Sequence, residues 1–376
     1  MQIHKLESNL YTEYFLTLPA TESDSPTCHF NKLADFIIDN GVQPIQEKVY
    51  GRISAREQII KCREQCYKEK GLDTGLPFTF IQGQPVHKGD FAGIQLWGIS
   101  PSVAGTKIVE TITCAQNKTA IARVWQDNNA RFAYFPFIQG LDSEGNLPSG
   151  PTAQAEQMFK NVHSRLENCS FSLRQVLRTW IYMAKILDWY DEFNNVRSTF
   201  FKKYGLIRGK EDDYMPASTG IQGRSNLEDC FLDMLTVDTK NSSDIKLNIL
   251  KNTLQNEAFA YGSAFSRGIA LEKKGKNTIF VSGTASIDDM GRTVRIADYE
   301  GQALQTLMAI AALIKPVGAK LENISLATVF CKDLGAWKAY QRCMNLLQIP
   351  EFPIIPVIAD VCRSDLLIEI EAIAVC

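Results

Sequence analysis

Histidine is scarce in this 376-residue chain. The four histidines, His4, His29, His87 and His163, form no local cluster. The ten cysteines are scattered from Cys28 to Cys376. Cys62 and Cys66 stand four apart on a predicted helix, Arg56–Glu69, and two such thiols supply half a metal site. No second pair lies at finger spacing, so a zinc module is excluded. In a long chain this usage reads as reduced, mostly buried thiols rather than a disulfide framework. Excess charge of either sign is also missing. Forty Lys and Arg face 42 Asp and Glu, a net charge of −2, so no large basic surface marks a nucleic-acid binder. No run approaches the ~20 apolar residues that cross a bilayer. The N-terminal MQIHKLESNLYTEYF lacks the basic, apolar and small-residue order of a secretory leader. The expectation is a cytoplasmic protein with neither nucleic acid nor membrane as partner.

What the chain does have is length for two ordinary domains and an internal repeat. FAYFPFIQGLDSEG is followed by a helical stretch carrying Gln154, and TIFVSGTASIDDMG by one carrying Gln302. Gln302 lies 148 residues after Gln154, and Trp337 lies 148 after Trp189. In the same comparison, Phe137–Gly140 is matched to Phe280–Gly283. The period is far too long for a solenoid and indicates a duplicated domain.

Each copy has one coarse order. An apolar strand ends at Gly140 or Gly283, and a turn and a helix follow. The first helix of copy one repeats Met158, Phe159, Val162 and Leu166 at helical spacing; that of copy two repeats Leu304, Leu307, Met308, Ala311 and Ile314. Next comes a strand, 176–182 or 326–330, then a second helix, then a closing strand, 230–237 or 366–375. Alternating strands and helices imply an α/β layer with helices on one sheet face. In the closing strand, Leu366, Ile368, Ile370, Ala372 and Ala374 share the helix side, and Glu369, Glu371 and Ile373 point the other way. A bare sheet face needs a cover, so Glu369 and Glu371 are expected at an interface between modules or subunits, where clefts form. Before residue 125, 56–69 reads as helix, and 78–81 and 120–125 as strands.

FSRGIAL (265–271), FVSGTAS (280–286), the Gln302 helix and IEIEAIAV (368–375) resemble RidA (YjgF), a small α/β protein of the chorismate-mutase-like fold. The resemblance is good over the C-terminal copy and looser over 130–237. It implies an α/β chain of two tandem RidA-like modules, each a mixed sheet with helices packed on one face. The first, 1–245, includes an N-terminal extension, and the second is 246–376. RidA proteins that hydrolyse enamines and imines use an arginine in a Pro-Ala-Arg segment ahead of the last strand. Counted without gaps from Glu369, that place holds Ile354. SGTASI (282–287), VCRSDLLIEIEA (361–372), Tyr261-Gly262 ahead of FSRG, and PASTGI (216–221) resemble the chorismatases, a branch with a second, N-terminal module. That likeness implies Glu369 as general acid. Gly268 together with Cys362 resembles the branch forming 3-hydroxybenzoate. The segment after SGTASI reads DDMGRTV where the family carries a histidine.

The residues suit that chemistry. Chorismate has two carboxylates and an enolpyruvyl ether, so its site needs cations and one proton donor. Arg267 and Arg363 flank the motifs and offer one bidentate clamp; Arg178 and Arg197 offer a second from the first module. Ser282, Thr284 and Tyr261 are candidate hydrogen-bonding groups, with Cys362 assisting ring rearrangement. A glutamate among apolar groups stays protonated more readily, which suits Glu369. The expected reaction releases pyruvate and 3-hydroxybenzoate or a dihydroxycyclohexadiene carboxylate, with no metal or organic cofactor. A RidA-like hydrolase of another small enamine or enol ether is the alternative, and a non-catalytic metabolite-binding protein on the same fold is a third. Glu371 and Asp233, the latter aligned with Glu369, read as structural. A homo-oligomer, by preference a trimer, is expected because single-module relatives are trimers with clefts between subunits.

Overall fold

A computed structural model describes residues 1–114, 119–209, 213–240 and 242–376, leaving out the side chains of Ala260 and Tyr261. Its described residues form three mixed sheets of five, six and seven strands. The first comprises β1 (Gln2–Glu7), β2 (Tyr11–Pro19), helix α1 (Pro26–Asp39), β3 (Gln43–Gly51), helix α2 (Arg56–Glu69) and β4 (Thr79–Gln82). A two-residue strand β5 (Gln84–Pro85) follows, and β6 (Phe91–Pro101) closes the unit. The second has β7 (Val109–Thr113), β8 (Ala120–Gln126), β9 (Arg131–Gln139), α3 (Pro151–Asn168), β10 (Val176–Met183), α4 (Ile186–Lys203), β11 (Ala217–Gln222) and β12 (Cys230–Asp238). The third has β13 (Ile245–Leu250), β14 (Gly268–Lys273), β15 (Lys276–Ala285), α5 (Tyr299–Ile314), β16 (Ile324–Cys331), α6 (Leu334–Leu346), β17 (Ile354–Ile358) and β18 (Ile368–Val375).

The three units share one topology. In each, the last strand inserts between the opening hairpin and the strand after the first helix. The orders are β2-β6-β3-β4, β9-β12-β10-β11 and β15-β18-β16-β17. In each, the two strands flanking the second helix pair in parallel. The α/β class, the mixed sheets and the one-sided helices agree with the sequence reading. The segment expected as an extension of module one is a module in its own right, with α1 and α2 packed on its sheet. Strand β5 pairs with β17 and joins the first segment to the third sheet.

Local sequence explains these elements. Ser25 caps α1 by accepting from Cys28 N, and Pro26 sits in the first turn. Phe30, Leu33, Ala34 and Ile37 then face the sheet. Asp298 and Asp333 cap α5 and α6 in the same way. The expected faces of α3 are buried, but α5 is turned. Its buried residues include Ala303, Leu307, Ile310 and Leu313, while Met308 is exposed. That helix is apolar nearly all round, so periodicity does not select a side.

Gln154 and Gln302 confirm the duplication at the level of contacts. Asp229 N donates to Gln154 Oε1 at 2.7 Å, and Leu367 N donates to Gln302 Oε1 at 2.8 Å. Both glutamines hold the entry to the closing strand. The bare sheet faces cover one another within this chain. Their shared core takes Phe15 and Trp97 from the first sheet, Trp125 and Trp180 from the second, and Phe280 and Ile373 from the third. Ile368, Ile370, Ala372 and Ala374 face the helices as expected, while Leu366 joins the shared core from the preceding loop.

Strand register fixes which positions are equivalent. Lys48 pairs with Gln95, Trp180 with Asp233, and Thr328 with Glu371. Asp233 is therefore the counterpart of Glu371, not of Glu369. Phe231 and Gly93 stand where Glu369 stands, opposite Tyr182 and Tyr50 as Glu369 is opposite Phe330. Likewise the bulge that follows Phe135 and Val281 aligns Phe137 with Gly283, so the Phe137–Gly140 and Phe280–Gly283 strings are offset by three residues.

Candidate active site

Where the second and third modules meet, β11 lies against the start of β14 and the end of β15. Ser218 N donates to Ser282 Oγ at 2.9 Å, and Ser282 Oγ donates to Ser266 O at 2.6 Å. Beside this seam is a cleft of about 50 Å³. Glu369 and Gly283 line it from the third module, and Tyr190, Ser218 and Gly220 from the second. Arg197, Arg267, Arg363, Phe265 and Cys362 complete the wall around Glu369.

The Glu369 carboxyl is packed on a glycine for a steric reason. A Cβ on Gly283 would lie 2.9 Å from Glu369 Cδ and closer still to Oε1. The glycine of SGTASI is thus the floor that leaves room for the carboxyl. Burial, reinforced by the neighbouring Glu371 charge, pushes Glu369 up to about 8, against the opposing pull of Arg178 and Arg267. At neutral pH the group is therefore mainly a carboxylic acid.

Three guanidinium groups line the cleft against this one carboxyl. Arg267 Nε and Nη2 both donate to Asn256 O at 2.9 Å. Arg197 Nη2 donates to Asn194 Oδ1 at 2.6 Å, and Arg363 Nη1 donates to Gly291 O. The Phe265 ring lies between Arg197 and Arg267, 5.9 and 5.5 Å from their guanidinium carbons. Cations fixed by backbone and ring contacts make a preorganised anion site.

Arg178 is not in the cleft. It is buried, donates to Thr219 Oγ1, and donates to Glu371 Oε2 at 2.9 Å. Lys48 Nζ, from the first module, is 3.6 Å from the other Glu371 oxygen. Lys48 also lies 4.3 Å from the Trp180 ring centre. Glu371 is thus held between two cations at the meeting of all three sheets. Its charge acts on Glu369 from one pleat away.

The other expected residues separate. Cys362 lines the cleft. Its own burial first, and the Glu369 charge second, push the thiol up to about 12, so it is a thiol and not a thiolate. Gly268 is placed away from the cleft: a Cβ there would meet Phe280 O at 3.0 Å and Leu313 Cδ2 at 3.2 Å, on the helix side. Ser282 serves the module seam, and Thr284 Oγ1 donates to Ser282 O at 2.9 Å; neither lines the cleft. Tyr261 closes a short 3-10 turn, 258–261, but its side chain lies outside the described residues. Tyr190 was missed by sequence reasoning. It follows Trp189, whose φ of −152° interrupts α4, and no sequence signal marks that break.

Register also relocates the Pro-Ala-Arg question. Ala327 pairs with Ile354 as Arg178 and Trp180 bracket the Thr179–Ser218 pair. In the second module the equivalent string is Pro216-Ala217-Ser218, so a serine stands at the cleft where the RidA resemblance would put arginine.

Comparison with known proteins agrees with this architecture. Residues 256–376 match the family model Endoribonuclease L-PSP. A RutC family protein from Pasteurella multocida is 39% identical over 85 residues, covering 21% of this chain and 65% of that relative. The chain therefore spans just under two thirds of the curated relative it matches. The E. coli YjgF gene product is 30% identical over 30% of this chain and 87% of its own, with a TM-score of 0.25. A chorismatase structure covers 98% of this chain and 100% of its own at 15% identity, with a TM-score of 0.63. The third module is thus similar to the endoribonuclease L-PSP family and to a RutC family protein. The chain as a whole has the fold of a chorismatase.

Proposed function

We propose that this chain is a chorismatase-like enzyme that cleaves the enolpyruvyl ether of chorismate. The observation that carries the proposal is a buried glutamic acid, Glu369, held protonated beside three arginines in an inter-module cleft. The substrate's two carboxylates engage Arg197, Arg267 and Arg363. Glu369 delivers its proton to the enol methylene carbon, giving an oxocarbenium ion. Water adds to the ether-bearing carbon of that ion and returns a proton to the Glu369 carboxylate. The hemiketal collapses to pyruvate and the ring diol, with one water consumed. Loss of water from the ring then gives 3-hydroxybenzoate, with no net water consumed. Cys362 and its neighbour Tyr190 enter this second stage as neutral groups, because burial holds both well above their ordinary ranges.

The cleft of about 50 Å³ is below the ~300 Å³ at which ligand pockets begin. Substrate entry therefore requires the wall to open, and the irregular segments bearing Ser263, Phe265 and Arg363 are the parts free to do so. No observation favours an enamine hydrolase, since Ser218 and Ile354 both occupy the arginine position. The test is incubation with chorismate, with pyruvate followed by coupled lactate dehydrogenase and the ring product by chromatography. Pyruvate release that falls ~10²–10⁴-fold in Glu369→Gln supports the reading. Equal release from both proteins overturns it.

A further inference from the structure

A second and larger cavity has no place in that reaction. It measures about 510 Å³ and is built by all three modules, within the ~300–1,000 Å³ range of small-molecule sites. Its floor is aromatic. Trp97 and Trp125 meet edge to face with centroids 5.7 Å apart. Trp125 stacks on Phe132 at 5.1 Å, and Phe280 lies 6.3 Å from Trp97. Such a floor receives a flat ring, edge-on or offset-stacked.

The polar groups of the wall are sorted by charge. Lys273 is paired with Asp127, which also accepts from Tyr11 Oη at 3.1 Å. That pair is neutral as a unit. Lys274 and Lys276 stand exposed at the rim on the β14–β15 turn, and Lys276 Nζ donates to the Glu7 backbone carbonyl rather than to a carboxylate. Two further carboxyls line the cavity: Glu7, exposed beside Lys276, and the buried Glu13, which accepts from Trp97 Nε1 at 3.0 Å. Burial pushes Glu13 up to about 7, so its negative charge is partly suppressed at neutral pH. An apolar aromatic floor beneath a rim where two lysines face one glutamate, Glu7, suits one kind of small molecule.

We infer that this cavity is a second ligand site, distinct from the Glu369 cleft, that takes a planar aromatic carboxylate with its ring on Trp97 and Trp125 and its carboxylate at Lys274 and Lys276. It is connected to the cleft through a single strand. Phe280 lines the cavity, and Gly283, three residues further along β15, forms the floor under Glu369.

The probe is benzoate, titrated into the whole protein by calorimetry, with tryptophan fluorescence as a second readout. Saturable binding is expected, weakened at least 10-fold in Lys274→Glu/Lys276→Glu. Both residues are exposed at the β14–β15 hairpin, outside the cleft, so this variant folds and keeps its turnover. Affinity is expected to fall as pH rises through about 7, because an ionised Glu13 repels the ligand. The groups around Glu13 are Tyr11, Asp127, Lys273 and the Trp97 indole N–H, with Glu7, Lys274 and Lys276 lining the same cavity. Glu13→Gln should flatten that pH dependence while leaving binding in place. Absence of saturable binding, or binding unchanged by the double charge reversal, overturns the inference. The second outcome would assign benzoate to the arginines of the Glu369 cleft. Because the readout is binding, the result stands apart from whether chorismate is turned over.

Discussion

Replacing Gly283 with alanine tests the link between a motif and the acid it supports. The added methyl would lie 2.9 Å from Glu369 Cδ and 3.2 Å from Thr219 Cγ2. Ordinary contact needs roughly 3.4–4 Å, so the carboxyl must retreat by on the order of 1 Å. Glu369 is buried on β18 and has little room to move. Overpacking of this kind costs about 1–3 kcal/mol of stability. A misplacement of ~1 Å at a reacting group costs on the order of 10²-fold in turnover. A double-mutant cycle isolates the cause. In a Glu369→Ala background the clash with the carboxyl is gone, leaving the lesser contact with Thr219. Gly283→Ala should then cost at least about 1 kcal/mol less than in the wild type. Denaturant unfolding of the four proteins gives the coupling, and pyruvate release gives the turnover. Full activity in Gly283→Ala, or additive stability changes, would refute the steric argument.

Other outcomes follow from the same geometry. The alkaline limb of the pH–rate profile should fall through about pH 8, because the active form of Glu369 is the acid; a flat profile from pH 7 to 9 would contradict this. Glu371→Gln removes a charge that raises Glu369, so that limb should move to lower pH. Arg178→Met leaves Glu371 buried with Lys48 as its remaining cation and should destabilise by about 3–5 kcal/mol in unfolding experiments. Iodoacetamide at pH 8 should label exposed Cys28 well before Cys362, whose thiol is neutral up to about pH 12; mass spectrometry of the peptides decides. Light scattering should give a monomer rather than the trimer of single-module relatives, since the bare sheet faces cover one another inside one chain.

The readable part of the sequence was the part whose strands alternate cleanly. IEIEAIAV placed Glu369 and Glu371 opposite the helix face, and SGTASI and FSRG led to the cleft, because both repeats keep their glutamine and tryptophan in step. The first module was hidden by its own polar interior. Strand β3 reads Gln43-Pro44-Ile45-Gln46-Glu47-Lys48, which looks like a loop. In the fold, Glu47 is buried in a two-pronged pair with Arg63 at 2.7 and 2.8 Å, and Lys48 faces Glu371. Polar groups on both faces of a strand erase the period of two, and only their partners, far away in sequence, make such a strand stable. Helix α1 did leave a signal, Ser25-Pro26 followed by Phe30, Leu33, Ala34 and Ile37. Equivalence of the closing strands was harder. A slip of two residues along the closing strand decides whether Asp233 matches Glu369 or Glu371, and because it keeps every side chain on the same face, the period of two cannot register it.

That equivalence bears on function. Of the three related positions, the chain places glutamate at one, phenylalanine at the second and glycine at the third. Under the proposed function, these three positions then supply one proton donor per chain.

The most direct measurement is pyruvate release from chorismate by the wild-type protein and by Glu369→Gln at pH 7. The account expects enzyme-dependent pyruvate from the first and a loss of ~10²–10⁴-fold in the second, with the variant still folded. Pyruvate from both at the same rate, or from neither at high enzyme concentration, would contradict it.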